Sequence, residues 1–485
     1  MLWACFVLPH LAMDGVLRQQ PDQAAANAQP LVLVGRVPAA AAAAAAAPGA
    51  ARQVLAVNEP ARAAGLFPGQ RLVAAQALLA RFKAVECSSG MIAGWQELLA
   101  AWAYRYSAEV VTFPGAVALE VGRSLALFGP WPAFEQRLRQ DLAGLGFRPR
   151  LAVAPAPRAA WLLAGSGDGV VAGDPALLAR ALAQVPVQRA HLPGGVTESL
   201  VGMGITRLGQ LLALPRASLR SRFGTELTGH LERLLGERPD PLPLYRPPDC
   251  FDAVIELGQE SVSRQALLFP LRRLTADLAA FLAGRDGGVQ HFLLELLHER
   301  SPATPVAVGL QSVQRDPAVL FELARARLEQ ATVSRPVLGL RLLATGLPEF
   351  RPAARDLFDG RPAHALPLPQ LRERLRARLG ADALYRLALT ADPRPEHAQT
   401  RAGDSRLPEL PERLPRPTWL LARPIPLRGP APHLLAGPER IETGWWDGGD
   451  IRRDYYVAET GQGQRAWVFC APGEQGPWML HGWFA

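Results

Sequence analysis

The acidic residues of the N-terminal third are the side chains best suited to chemistry, because clustered carboxylates can bridge two cations across a phosphoryl-transfer step. They do not cluster in the sequence. Glu120 stands alone in the apolar run Phe113-Pro114-Gly115-Ala116-Val117-Ala118-Leu119-Glu120-Val121, Glu109 precedes that run, and Asp14 follows the apolar segment Leu2 to Leu8. One carboxylate cannot assemble a two-cation site. Glu120 therefore reads as a structural or solvated strand residue, and Asp14 as a solvated helix residue. The chain has no Walker A loop, no Gly-x-Gly-x-x-Gly after a strand, no His-Glu-x-x-His and no Gly-x-Ser-x-Gly. Its histidines are scattered without metal-ligand spacing. Cys5, Cys87, Cys250 and Cys470 are far apart, as reduced core cysteines of a cytoplasmic protein are.

The 485 residues exceed one ordinary core and suggest about three or four domains. The formal charge of +8 is carried almost wholly by arginine, Lys83 being the only lysine. Guanidinium forks suit phosphate oxygens and base stacking, which favours a nucleic-acid partner over an acidic protein. A composition that replaces lysine with arginine gives the same excess, and charge alone does not separate the two readings. Leu2 to Leu8 lacks a basic flank and a cleavage site and is too short to span a bilayer, so it reads as a buried strand. No later stretch is long and apolar enough for a membrane span.

These residues must be positioned by alternating strands and helices. Leu2 to Leu8 and Pro30 to Val34 are strand-like, Ala39 to Ala47 is a low-complexity tract, and Val54 to Val57 is a strand leading into a helix stopped at Gly65. Met91 to Tyr106 and Ala133 to Leu145 are helical, with strands around Val110, Val117 and Leu151 to Ala154. Residues 186–240 change to short helices punctuated by glycine, with the rhythm of a helix-hairpin-helix at Leu192-Pro193-Gly194-Gly195-Val196 and Met203 to Leu211. A βαββαβ order follows: Phe251 to Leu257, Arg264 to Leu282, Val289 to His298, Val306 to Gln311, Pro317 to Glu329 and Val337 to Leu343. Arg351 to Pro432 is rich in Pro, Arg and Ala. The tail from Gly437 is dense in Trp, Tyr and Gly and reads as a small β-rich module.

That order over residues 1–345 resembles the Y-family (UmuC/DinB-like) DNA polymerases, and within them the ImuB-like branch. Leu119, Glu120, Val121 and Ser124 match the second half of the family pattern Ser-x-Asp-Glu-x-x-Leu-Asp-Val-x-x-Ser. The ending Gly437 to Gly448 with Trp445-Trp446-Asp447, then Arg453 to Val457 and Trp478 to Ala485, is similar to the close of the ImuB-like branch. The resemblance implies an α/β and α+β multidomain fold: palm and fingers over 1–185, a helix-hairpin-helix thumb over 186–245 and a βαββαβ little finger over 246–345. A linker would follow over 346–432 and a C-terminal module over 433–485.

It also places the family's metal-binding Asp-Glu pair on Gly115 and Ala116, neither of which holds a metal, and it finds no acid in the first strand. No metal or cofactor is therefore expected. In the fingers Arg62 remains of the nucleotide-gripping residues, while Glu59 stands where a Tyr approaches the triphosphate and Trp161 where a Lys does. The turn Pro193-Gly194-Gly195-Val196-Thr197 would contact DNA phosphates, or merely connect two helices. Arg272 and Arg273 of the little finger would contact DNA. Asp356, Leu357 and Phe358, with Ala354 in place of the usual Gln, would bind the sliding clamp, or pack on their own domain. Trp445, Trp446, Tyr455 and Tyr456 would bind partners. The implied function is a non-catalytic adaptor in damage-induced translesion synthesis, joining DNA, the clamp, a RecA-like accessory protein and an error-prone C-family polymerase. An active polymerase with displaced ligands and a solitary DNA-structure binder are the alternatives.

Overall fold

Trp3-Ala4-Cys5-Phe6-Val7 has no polar residue, as a strand covered on both faces requires. It forms β1 (Trp3–Val7), the centre of a five-stranded sheet. A separate three-stranded sheet joins β2 (Leu31–Arg36) antiparallel to β3 (Arg52–Val57) and parallel to β4 (Lys83–Glu86). The main sheet is completed by β5 (Val110–Phe113), β6 (Ala116–Glu120), β7 (Arg150–Ala154) and β8 (Val170–Val171), in the order β5-β6-β1-β7-β8. Alternation along the strands divides its faces. Trp3, Cys5, Ala116, Ala118, Ala152 and Ala154 share a core with the Pro157–Ser166 helix. Ala4, Phe6, Val117, Leu119 and Val153 face the Leu11–Leu17, Ser89–Ala103 and Trp131–Gly144 helices. The computed structural model describes residues 1–36, 52–351, 368–401 and 415–484.

The Val196–Gly202, Leu208–Leu212 and Arg216–Leu235 helices follow, and their apolar faces join the core on the Pro157–Ser166 side of the sheet. The last of them breaks at Gly224, whose φ of 80° lies in the left-handed region. A second sheet then forms from β9 (Cys250–Ser261), β10 (Val289–Leu297), β11 (Thr304–Gln314) and β12 (Val337–Thr345), ordered β11-β10-β12-β9 with antiparallel neighbours. Its Arg264–Gly284 and Pro317–Gln330 helices bury Leu271, Leu274, Leu278, Leu320 and Leu328 against the strands. Gly284 lies so close to the Ser89–Ala103 helix that a Cβ there would stand 1.9 Å from the Ala101 carbonyl oxygen. A buried ion pair between Arg18 and Asp277 makes a second contact between these parts.

The chain divides into two compact units, Met1–Arg378 and Leu379–Ala485. In the second, β13 (Leu387–Leu389) pairs with β14 (Gln399–Arg401). A five-stranded antiparallel sheet contains β15 (Trp419–Pro426), β16 (His433–Thr443), β17 (Ile451–Glu459), β18 (Arg465–Cys470) and β19 (Met479–Trp483), ordered β15-β19-β18-β17-β16. Part of the stretch expected as linker over 346–432 is therefore strand. Trp419-Leu420 pairs with Gly482-Trp483, a partner some sixty residues away that local composition does not announce. The mixed α/β multidomain class with a β-rich C-terminal module is borne out. Among the described residues no helix is long and apolar enough to cross a membrane.

Candidate functional site

The two positions expected to carry the metal-binding pair lie at the hairpin joining β5 to β6. Gly115 occupies the turn with a φ of 65°, and its carbonyl oxygen accepts from the Leu8 N–H at 3.0 Å. Ala116 opens β6 opposite Val7 and is wholly buried. Farther along the register Cys5 faces Ala118 and Phe6 faces Val117. Gln96 of the Ser89–Ala103 helix clamps the hairpin, donating to the carbonyl oxygens of Phe113 at 2.6 Å and Ala116 at 3.3 Å. Burial pushes the Cys5 thiol far above its usual range, so it is a neutral core side chain. Among the described residues, no three His, Cys, Asp or Glu side chains are grouped as metal ligands would be.

An aromatic ladder stands beside this strand end. The Phe113 ring lies 4.5 Å from Trp161 at an interplanar angle of 9°, and Trp161 lies 4.1 Å from His191 at 7°. Phe113 is buried, Trp161 half-buried and His191 exposed. Trp161, expected where a triphosphate-binding lysine would stand, thus packs on the hairpin and on a loop from the helical segment. His191 has a left-handed φ of 48°, uncommon for a residue with a Cβ, and burial lowers its pKa.

The acids that the sequence singles out are structural. Asp14 is buried, which corrects its expected solvation: its carboxylate accepts from the Arg148 backbone N–H at 3.1 Å and from the Arg148 guanidinium at 2.5 and 3.0 Å. Glu120 is also buried and accepts the N–H groups of Leu2, Gly122 and Arg123 at 3.0 to 3.2 Å. Glu109 pairs with Arg123 at 2.7 Å. A carboxylate saturated by backbone donors holds a chain end in place and has little left to offer a cation.

The positions expected to meet DNA separate into exposed and buried ones. Gly194 and Gly195 are exposed, with open space where a Cβ would project, and Gly195 has a φ of 70° that begins the Val196–Gly202 helix. Pro193 and Thr197 are half-buried and Val196 is buried. Arg272 is exposed, its guanidinium 4.6 Å from the Phe321 ring centroid. Arg273 is corrected from a DNA contact to an interior residue. Its side chain is 13% exposed, 3.8 Å from Asp277, and donates to the Gly144 carbonyl at 3.3 Å. Burial, with the Arg18 cation adding to it, lowers its pKa to about 10. Arg62 is exposed on the Glu59–Ala63 helix of the three-stranded sheet, capped by Asn58, while Gly115 and Ala116 belong to the main sheet. Asp356, Leu357 and Phe358 lie outside the described residues.

The four aromatic residues expected to bind partners divide in the same way. Trp445 and Trp446 are 78% and 58% exposed and meet edge to face at 5.6 Å. Their turn is held from below by Arg394, a buried cation whose guanidinium donates to both Asp447 carboxylate oxygens at 3.0 and 2.6 Å. That fork and the Gly449 N–H hold the Asp447 pKa down to about 2. Arg394 went unnoticed in the sequence because Asp392-Pro393-Arg394 looks like linker. Tyr456 is half-buried, edge to face with Trp478 at 5.4 Å. Tyr455 is corrected to a core residue: its ring stacks 4.0 Å from Trp467, and its hydroxyl lies 2.8 Å from His481 Nδ1. Successive strand residues point to opposite faces, so the two tyrosines could not share one surface.

The positive charge follows the two units. Residues 1–378 carry 40 Arg and Lys against 31 Asp and Glu, a net of +9, whereas residues 379–485 carry 12 against 13. Comparison with known proteins finds no matching family model. Protein ImuB of Caulobacter vibrioides, in strain NA1000 / CB15N and in strain ATCC 19089, is 29% identical over 465 residues, covering 87% of this chain and the full length of that protein. The resemblance to the ImuB-like branch is borne out by that identity along the chain. Two solved structures are also similar. The insertion ternary complex of Dbh DNA polymerase has 15% identity and a TM-score of 0.42, covering 72% of this chain and 99% of that one. DinB from Sulfolobus solfataricus has 15% identity and a TM-score of 0.40, covering 72% of this chain and all of that one.

Proposed function

We propose that this chain is a non-catalytic homologue of Y-family polymerases that serves as an adaptor in damage-induced translesion synthesis. One observation carries the reading: where paired carboxylates would have to stand, the β5–β6 hairpin presents Gly115 and the buried Ala116 opposite Val7. Two-cation phosphoryl transfer has no ligands at such a hairpin. The acids that the sequence singles out, Glu120 and Asp14, are committed to backbone N–H groups and to Arg148. The likeness to Protein ImuB along most of the chain supports the same assignment.

In this reading residues 1–378, with their net +9, hold DNA through sequence-independent phosphate contacts at the Gly194-Gly195 turn and at Arg272. Residues 379–485, with no basic excess, contact protein partners through Trp445 and Trp446. Asp356, Leu357 and Phe358 bind the sliding clamp. The partners brought together are the clamp, a RecA-like accessory protein and an error-prone C-family polymerase in the cytoplasm.

Primer extension with purified protein, Mg²⁺ or Mn²⁺ and all four nucleotides tests the absence of catalysis. No incorporation is expected. Robust extension that is lost in Glu120→Gln or Asp14→Asn would overturn the reading and establish an active polymerase with displaced ligands. Retention of the sliding clamp by the intact chain but not by Leu357→Ala/Phe358→Ala supports the adaptor. Failure of the intact chain to retain the clamp leaves a solitary DNA binder.

A further inference from the structure

Among the described residues, the ladder Phe113–Trp161–His191 ends in a ring that no further aromatic ring stacks upon. Rings spaced 4.5 and 4.1 Å apart within 9° of parallel are ordinary in a core. Here the exposure rises along the ladder, from Phe113 at 6% through half-buried Trp161 to exposed His191. A ladder that served only to tie the loop to the sheet would bury its last ring. The backbone sharpens the point. His191 sits at a φ of 48°, a left-handed conformation that is unfavourable for a residue with a Cβ.

That conformation is held from both sides. Ala190 is buried and donates its N–H to the Val187 carbonyl at 3.1 Å, while its own carbonyl lies 3.2 Å from Nε2 of the buried His230. On the other side the chain enters the exposed Gly194-Gly195 turn, where neither glycine has an atom within 4 Å of the Cβ position. Although His191 is exposed, partial desolvation of its ring lowers the pKa, which favours a neutral, planar imidazole. Arg189, two residues earlier, is exposed.

We infer that the outer face of His191 is a stacking platform for one unpaired nucleobase of a DNA strand, with the strand's phosphates running past the Gly194-Gly195 turn. A nucleobase fits because every base has a π-face that continues a parallel ladder whatever its sequence, and because open glycine backbone admits a phosphate that a side chain would obstruct. The net +9 of residues 1–378 draws such a polyanion and repels a cationic aromatic ligand. The platform lies beside the strand end that lacks carboxylates, so it holds a base there without chemistry. This inference rests on the DNA-binding part of the proposed function.

Fluorescence anisotropy of the full-length chain with a labelled single-stranded oligothymidylate tests it. His191→Ala is expected to weaken binding roughly 5- to 150-fold, the span that one base-aromatic stack covers. His191→Phe and His191→Tyr should restore it, and the slope of log K against log salt should not change because no phosphate contact is removed. The wild-type chain should bind an abasic oligonucleotide as weakly as His191→Ala binds the normal one. Equal affinity of wild type and His191→Ala would overturn the platform while leaving DNA binding intact, as would His191→Phe behaving like His191→Ala. A wild-type chain that binds no oligonucleotide would overturn the DNA-binding reading and the platform with it.

Discussion

Neutralising Asp277 should loosen the βαββαβ sheet and its helices from the N-terminal sheet. The Arg18 side chain is 1% exposed and that of Asp277 6%, so water screens almost none of their interaction. Arg18 also donates to the Leu145 carbonyl at 2.7 Å and lies 4.9 Å from the Phe147 ring centroid, contacts that would keep it inside after its partner is lost. Arg273 adds a second cation 3.8 Å from the same carboxylate, with its Nε and Nη2 buried and without a hydrogen-bond partner. Asp277→Asn would leave two interior guanidinium groups facing a neutral amide. Breaking a buried pair in this way costs about 3–5 kcal/mol. Amide hydrogen exchange of the full-length chain is the assay, because two compact units need not unfold together. Protection of the Arg264–Gly284 helix should fall by roughly two to four decades at about 1.4 kcal/mol per decade, while β17 and β18 stay unchanged. Arg18→Met/Asp277→Leu should recover only part of the protection, since apolar residues can replace the Arg18–Asp277 pair but Arg273 keeps no counter-charge. A loss under one decade in Asp277→Asn would refute the reasoning, showing that the two cations escape to water.

Three further outcomes are expected. Ala116→Glu, which returns an acid to the β5–β6 hairpin, should remain inactive in primer extension and lose on the order of 3 kcal/mol in chemical denaturation, because its carboxylate enters a buried position with no counter-charge. Burial lowers the His230 pKa, with Arg158 and Arg233 adding to the effect. The unfolded chain therefore binds a proton at this position more readily, and stability present above pH of about 6.5 should be lost as pH falls through the lower folded-state pKa; His230→Gln should shrink the difference in Tm between pH 7.5 and 5.5. Trp445→Ala/Trp446→Ala should leave the melting temperature of residues 379–485 almost unmoved, since both rings are exposed, while weakening capture of the proposed C-family polymerase partner by about 30-fold or more in a pull-down titration.

The elements that periodicity governs were legible in the sequence. Val289 to His298 is expected as strand and found as Val289–Leu297, and Arg264 to Leu282 is expected as helix and found as Arg264–Gly284. In both, an apolar pattern with a single period writes the buried face into adjacent residues. Side chains whose meaning depends on a distant partner were not legible. Asp14 reads as solvated until Arg148, far along the chain, is folded against it. Arg273 follows Arg272 in sequence, yet one step round a helix turns it from solvent to the interior beside Asp277. Arg394 and Asp447 meet across the turn that presents Trp445 and Trp446, and neither lies in a pattern that names the other. His191 carried no sequence signal at all, because its left-handed backbone and its stack on Trp161 arise only from the fold.

Under the proposed function, the absence of carboxylates at the hairpin and its apolar packing are one feature. A strand end that held cations would keep charged side chains in water. Here Val7 packs with the same core as Trp161, Ala116 is fully buried, and Phe113 supports the Trp161 ring. Each of these residues now removes apolar surface from water, at roughly 25 cal/mol per Å². Returning an acid to this end therefore works against folding as well as lacking its metal partners. The same reasoning separates the two binding roles. Phosphate contact is electrostatic and weakens steeply with salt, whereas two exposed tryptophans on a turn held by the Arg394–Asp447 fork would bind a proposed partner mainly by apolar burial. With the basic excess confined to residues 1–378, rising salt should release DNA well before it releases a protein held by Trp445 and Trp446. If the chain is the proposed adaptor, it would let go of the strand while keeping hold of its partner.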